Sequence, residues 1–132
     1  MKYDKDWYDS LIKPDFQPPS WVFAPVWTIL YSMMMIALLL VVFSPTNEVK
    51  FFAYLAFFFQ LYVNFMWPVA FFEEHNLRKA FLLSFLLLIL VFVTMIIFYM
   101  VSKIAGALFI PYFLWCLFAT VLSFEILERN EW

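Results

Sequence analysis

Long apolar stretches separated by short polar segments dominate the order of residues along this chain. Four such stretches run from about Ser20 to Phe43, Phe51 to Phe72, Ala80 to Ser102 and Ile104 to Phe124. Each is about as long as the 20 apolar residues that an α-helix needs to cross the hydrocarbon of a bilayer. No charged residue lies inside any of them. Because one charge at a helix centre costs roughly 2.5–3.5 kcal/mol on insertion, we predict four transmembrane helices.

Short polar linkers join the predicted helices, so consecutive helices should be antiparallel neighbours. Ser44–Asn47 has turn chemistry, and Glu73–Asn76 is a polar turn. Lys103 alone separates the third helix from the fourth, which predicts a tight reversal near Ser102–Gly106. We therefore predict a single domain over residues 1–132, an all-α membrane protein built as a bundle of four transmembrane helices.

Composition supports a membrane environment and excludes several classes of protein. Apolar residues make up 67% of the chain and charged residues 14%, and a soluble domain of this size could not bury so much apolar surface. The net charge is -2 with no basic block, which argues against nucleic acid and leaves the lipid bilayer as a partner. The single cysteine, Cys116, excludes a disulfide framework or a cysteine metal cluster.

The positive charges predict the orientation of the bundle. Lys50 and Lys103 fall on one side of it. The other six basic residues fall on the opposite side: Lys2, Lys5, Lys13, Arg78, Lys79 and Arg129. Because positively charged segments tend to stay in the cytoplasm, we predict that both termini are cytoplasmic. The all-helical pattern favours a bacterial inner membrane.

The segment before the first predicted helix combines prolines with large aromatic residues. Pro18 and Pro19 fix their own φ angles and bias the preceding residues toward extended geometry, so the segment should be stiff. Trp7 and Phe16 have little reason to remain in water. The aromatic residues either form a belt at the membrane interface or fold over the end of the bundle as a lid of residues 7–20.

Three separated motifs occur in order along the chain. They are Trp7–Tyr31, which fits WYxxLxKPxFxPPxWVFxPVWxxLY, then Gln60–Trp67 with Phe71 and Phe72, and finally Ile110–Trp115 with Phe118–Thr120. Through them the chain resembles the TspO/MBR family of tryptophan-rich sensory proteins and translocator proteins (peripheral-type benzodiazepine receptors). Family members usually have five helices. Only the polar residues Met1–Asp6 precede the first motif, so the resemblance implies a TspO-like fold lacking the usual first helix.

Polar and aromatic residues recur at helical spacing inside the predicted spans. Gln60 and Asn64, four positions apart, share a face with Trp67. Because a buried amide in lipid needs hydrogen-bond partners, these residues are either interhelical glue or a polar handle in an aromatic cavity. Trp27 and Tyr31 share a face in the same way, and on periodicity alone such stripes indicate core packing more often than a ligand site.

The resemblance implies that these positions line a cavity, capped by the proline-rich loop, for flat apolar molecules such as porphyrins, sterols and benzodiazepine-like ligands. Carried over residue by residue, it assigns ligand binding to Tyr8, Pro18, Pro19, Trp27, Tyr31, Asn64, Trp67, Trp115 and Ala119. Stacked ring pairs contribute about 0.5–1.5 kcal/mol each beyond area burial, which suits a tetrapyrrole. We expect no tightly bound cofactor, with porphyrin or heme as the ligand.

The other residues that could carry chemistry do not indicate a catalytic or metal site. His75 lies in a polar turn, so we predict a solvated interface residue rather than a heme ligand. Met33–Met35 are consecutive and face different sides of one helix. No catalytic triad, buried carboxylate pair or phosphate loop is visible in the sequence. The resemblance leaves one reaction open, light-dependent porphyrin breakdown beside Trp27, Trp67 or Trp115.

Three functions remain compatible with the sequence. The leading hypothesis is an integral membrane receptor that binds a hydrophobic small-molecule ligand, above all a porphyrin- or heme-type tetrapyrrole, and has a sensory or regulatory role. The second is a transporter of such ligands, although the single glycine provides little of the helix punctuation that often accompanies transport. The third is a structural membrane subunit completed by a homodimer partner or a helix-donating partner.

Overall fold

Helices account for nearly all of the residues that the structure describes. The computed structural model of the protein describes residues 23–45, 47–74 and 76–131. The helices are α1 (Phe23–Val42), α2 (Val49–Pro68), α3 (Leu77–Val101), α4 (Lys103–Leu108) and α5 (Ile110–Glu131), and a π-helical turn at Val69–Glu73 continues α2. No strand occurs within these ranges. The all-α fold class is therefore confirmed.

Four helical stretches in the described part of the chain are long and apolar enough to cross a membrane. They are Ala24–Val42, Val49–Phe71, Leu77–Val101 and Lys103–Glu128, with mean hydropathies from 1.4 to 3.1. The last combines α4 and α5, which are divided at Phe109. Large apolar side chains cover the outside of the bundle, where lipid removes the cost of exposing them to water. The prediction of a multi-pass integral membrane protein in contact with a lipid bilayer is confirmed.

A side-chain cap sets the beginning of α3. Asn76 accepts a hydrogen bond from the backbone N–H of Lys79 at 2.9 Å, which satisfies one of the donors that a helix start leaves free. The helix consequently begins at Leu77, before the apolar stretch that starts at Ala80. Lys79 also pairs with Glu74 at 2.8 Å, so its charge stays at the end of the bundle.

A tight reversal connects α3 to α4, as the sequence predicts. Ser102 is extended, with φ −150° and ψ 121°, and its hydroxyl accepts from the N–H of Ala105 at 3.3 Å. Gly106 then lies directly on the last turns of α3, since a Cβ added there would be 2.5 Å from Tyr99 Cβ and 2.6 Å from Tyr99 Cα. The only glycine of the chain thus occupies a position where two helix backbones approach too closely to leave room for a Cβ.

Small residues and interlocking rings let the remaining helices pack closely. The most extensive helix contacts are those of α3 with α2 and with α5, whereas α1 packs mainly against α4. Fully buried alanines, among them Ala53 and Ala80, belong to the packed interior. One apolar cluster surrounds Phe57, Phe98 and Phe109. A second cluster, named here the Phe71 cluster, comprises Ala70, Phe71, Leu77, Ala80, Leu122, Ile126 and Leu127.

A buried polar contact joins α3 to α5 within this packing. The hydroxyl groups of Ser84 and Ser123 are 3.3 Å apart. Thr120 donates to the backbone oxygen of Ser84 at 3.2 Å and to that of Cys116 at 2.8 Å. These short polar side chains therefore find partners inside the bundle, which their position in a hydrocarbon environment requires.

Candidate functional site

Three helices bring four of the sequence-predicted site residues into one group. Trp27 of α1 contacts Tyr31 at a ring-centroid distance of 5.6 Å and Trp115 of α5 at 6.3 Å, the latter edge-to-face at 89°. The hydroxyl of Tyr31 donates a hydrogen bond to Asn64 Oδ1 on α2. We name Trp27, Tyr31, Asn64 and Trp115, together with Tyr112 described next, the aromatic–polar cluster.

A chain of hydrogen bonds runs through this cluster. Asn64 Nδ2 donates to the hydroxyl oxygen of Tyr112 at 2.9 Å, and the Tyr112 hydroxyl donates to Gln60 Oε1 at 2.7 Å. Gln60 Nε2 in turn contacts the sulfur of Met34 at 3.8 Å. At the other end of the series, Tyr31 donates to Asn64. Each side chain thus donates a hydrogen bond to the next, and the network links α1, α2 and α5.

Deep burial explains why these hydrogen bonds matter. Gln60 and Tyr112 are 0% exposed and Asn64 is 4% exposed. Polar groups left unpaired in hydrocarbon cost several kcal/mol each, and the network removes that cost. The interhelical-glue interpretation of the Gln60–Asn64 pair therefore has direct structural support. A ligand role for Asn64 requires a ligand group to take the place of one of its present partners.

Sequence reasoning did not assign Tyr112 to the site. Its ring lies 6.4 Å from that of Trp27 at an interplanar angle of 71° and 5.9 Å from that of Phe109. One signal could have identified it, because Tyr112 precedes Trp115 by three positions and so shares its helical face. A tyrosine inside an apolar span also needs a hydrogen-bond partner when it is buried.

Two further predicted site residues lie elsewhere on the same helices. Trp67 packs with the Phe71 cluster and stacks on Phe71 at 5.1 Å and 19°. It is separated from Asn64 by three positions, which shift it about 4.5 Å along α2. Ala119 is half-buried, one turn beyond Trp115 on α5. The structure thus places Trp67 in a different apolar cluster from Trp27, Tyr31 and Trp115.

An open apolar groove runs between α1 and α5, beside the aromatic–polar cluster. Its volume is about 530 Å³, and it is lined by Val26, Ile29, Leu30, Pro111, Leu114, Trp115 and Phe118. Small-molecule sites commonly measure about 300–1,000 Å³, so the groove is large enough for such a ligand. Trp115 belongs to both features, because it lines the groove and contacts Trp27.

Several predictions fall on residues that the structure does not describe. Tyr8, Pro18 and Pro19, together with the proposed lid over residues 7–20, lie outside the described residues, and so does His75. Within residues 23–45, 47–74 and 76–131, no group of three or more His, Cys, Asp or Glu residues could hold a metal ion. Cys116 is buried one turn from Tyr112 on α5.

Comparison with known proteins connects this architecture to a family. The model of the TspO/MBR family matches residues 1–129. Tryptophan-rich protein TspO of Chlorobaculum tepidum is 40% identical over 126 residues, covering 94% of this chain and 79% of that protein. Tryptophan-rich sensory protein of Cereibacter sphaeroides is 35% identical over 125 residues, covering 95% and 77%. Translocator protein of Ovis aries is 33% identical over 130 residues, covering 95% and 75%. The chain belongs to the TspO/MBR family.

Proposed function

We propose that this protein is a membrane receptor for flat hydrophobic ligands, above all porphyrin-type tetrapyrroles, with a sensory or regulatory role. The observation that carries the proposal is that Trp115 belongs both to the groove and to the aromatic–polar cluster. Its ring lines the α1–α5 groove and also contacts Trp27 edge-to-face at 6.3 Å. A molecule lodged in the groove therefore meets an aromatic surface that continues to Trp27, Tyr31 and the buried hydrogen-bond network.

The chemistry of the groove suits the apolar face of such a ligand. Trp115 and Phe118 contact each other at 5.6 Å and form an aromatic wall. The other lining residues are aliphatic or proline. Each ring pair formed with a planar ligand would contribute about 0.5–1.5 kcal/mol beyond the burial of apolar area. Ligand affinity would thus come from stacking and apolar burial rather than from charge.

The hydrogen-bond network supplies polar groups that could fix the orientation of a bound molecule. Ligand sites typically combine apolar walls with a small number of such groups. The Asn64 amide is hydrogen-bonded to Tyr31 and Tyr112, so its burial is not penalised. A polar edge of the ligand would exchange with one of these hydrogen bonds. One relative is named a sensory protein and another a translocator protein, and the sensory name agrees with the sensory role proposed here.

A titration with protoporphyrin IX tests this function. The purified protein in lipid nanodiscs would be followed by quenching of its tryptophan fluorescence and by porphyrin absorbance. We expect saturable binding that is weakened by Trp27→Phe and by Asn64→Ala. Phe59→Leu, which removes an exposed ring of α2, is the control and should bind like the wild type. Linear quenching that ignores every substitution would reveal partitioning into the bilayer and would contradict the proposal.

A further inference from the structure

Helix α1 has a different attachment to the bundle at each of its ends. Its closest packing partner is α4, which lies at the end of the bundle where α1 finishes, because α4 follows the reversal after α3. Nearer its beginning, α1 is held by side chains, namely Trp27 against Trp115 and the hydrogen bond from Tyr31 to Asn64. The α1–α5 groove lies between the two helices in this region.

The groove leads from the lipid-facing surface toward the aromatic–polar cluster. Ile29 of α1 and Leu114 of α5 form its two rims and are 59% and 55% exposed, whereas Leu30 at its floor is buried. Trp115 is half-buried between rim and floor. On its inner side its ring contacts Trp27, which contacts Tyr112. The Trp115 side chain therefore lies between the groove and Trp27, whose ring leads on to Tyr112 and the buried network.

We infer that the α1–α5 groove is a lateral portal through which a planar apolar ligand passes from the bilayer hydrocarbon to the aromatic–polar cluster, with the Trp115 side chain as its gate. This inference rests on the proposed function and adds the route that the ligand takes. Flat hydrophobic molecules concentrate in lipid rather than in water, so the bilayer is their reservoir. No charged residue lines the groove, so a ligand that moves along it stays in apolar surroundings.

The rims can be narrowed without touching the cluster. In the double variant Ile29→Phe/Leu114→Phe, two bulkier side chains face each other across the groove. The matched control, Ile36→Phe/Leu117→Phe, makes the same changes on the same two helices at exposed positions outside the groove lining. Both variants place added bulk on the lipid-facing surface, so both should fold, and circular dichroism and gel filtration verify this.

Stopped-flow binding of protoporphyrin IX to the protein in nanodiscs provides the test. We expect the rim variant to lower the association rate constant at least about tenfold, within the one to three decades over which such constants vary among variants of one interface. Dissociation should slow by a similar factor, which leaves the equilibrium affinity nearly unchanged, and the control variant should match the wild type.

Other outcomes separate the portal from the proposed function. An association rate in the rim variant equal to that of the control would overturn the portal while leaving the receptor function intact. A loss of affinity with an unchanged association rate would also overturn it, because Ile29 and Leu114 would then contact the bound ligand without controlling its entry. Absence of saturable binding to the wild-type protein would instead refute the proposed function, and the portal with it.

Discussion

The hydroxyl group of Tyr112 on α5 donates a hydrogen bond of 2.7 Å to the side-chain oxygen of Gln60 on α2, and both side chains are fully buried. The same hydroxyl accepts from Asn64 at 2.9 Å. One phenol thus partners two buried amides at once. Because hydrocarbon offers no replacement partners, the amides of Gln60 and Asn64 depend on this single oxygen for their hydrogen bonds to α5.

Substituting Tyr112 by Phe should therefore destabilise the bundle. The change removes one oxygen and leaves two buried amide groups each short of a partner, which should lower the free energy of unfolding by about 1–3 kcal/mol. Reversible unfolding in mixed detergent micelles measures the effect. Tyr62→Phe is the matched control, because Tyr62 is 64% exposed on the outside of α2. Equal stability of the two variants would show that the network contributes nothing to packing.

The contact between Ser84 and Ser123 predicts non-additive effects of mutation. Ser84→Ala and Ser123→Ala should each cost about 0.6 kcal/mol, the average for interhelical hydrogen bonds measured in a membrane bundle. The double variant should cost less than the sum, because neither hydroxyl is then left without its partner. A double-mutant cycle of unfolding free energies measures the difference, and strictly additive costs would argue that the 3.3 Å contact carries no energy.

Substitution of Gly106 by alanine sets two effects on stability against each other, the helix propensity of residue 106 and its packing against α3. Helix propensity alone favours alanine over glycine by about 1 kcal/mol. The added Cβ, however, would lie 2.6 Å from the backbone Cα of Tyr99, and backbone cannot move aside as a flexible side chain can. We therefore expect a net loss of about 1–3 kcal/mol, typical of overpacking. The exposed neighbour provides the control, since Ala107→Leu adds more bulk and should be nearly neutral. Greater stability of Gly106→Ala would contradict the close approach of α3 and α4.

The transmembrane spans could be predicted from the sequence because charge is so costly in hydrocarbon. Uninterrupted apolar runs therefore mark the spans directly, and Lys103 between two such runs marks the reversal that Ser102 and Gly106 make. The beginning of α3 was harder to predict from the hydrophobic pattern. Asn76 caps the helix, so α3 begins in the polar segment before the apolar run. The π-helical turn after Pro68 had no signal in the hydrophobic pattern.

The candidate site was only partly predictable, because its contacts join distant parts of the chain. Tyr112 bonds to residues 48 and 52 positions away, and helical periodicity cannot show which faces of separate helices meet. Periodicity correctly placed Gln60 and Asn64 on one face. It also grouped Trp67 with them, yet three positions along α2 were enough to bring Trp67 into the Phe71 cluster instead. Position along the helix axis decides such contacts as much as the face does.

Photo-cross-linking tests the central claim, ligand binding beside Trp115, most directly. A diazirine derivative of protoporphyrin IX would be photolysed with the protein in nanodiscs, with and without excess protoporphyrin IX, and the labelled residues identified by mass spectrometry. We predict labelling of α1 and α5 around the groove and the aromatic–polar cluster, between residues 26–31 and 111–119, and its loss on competition. Labelling spread over the exposed phenylalanines of α2, insensitive to competitor, would contradict a specific site.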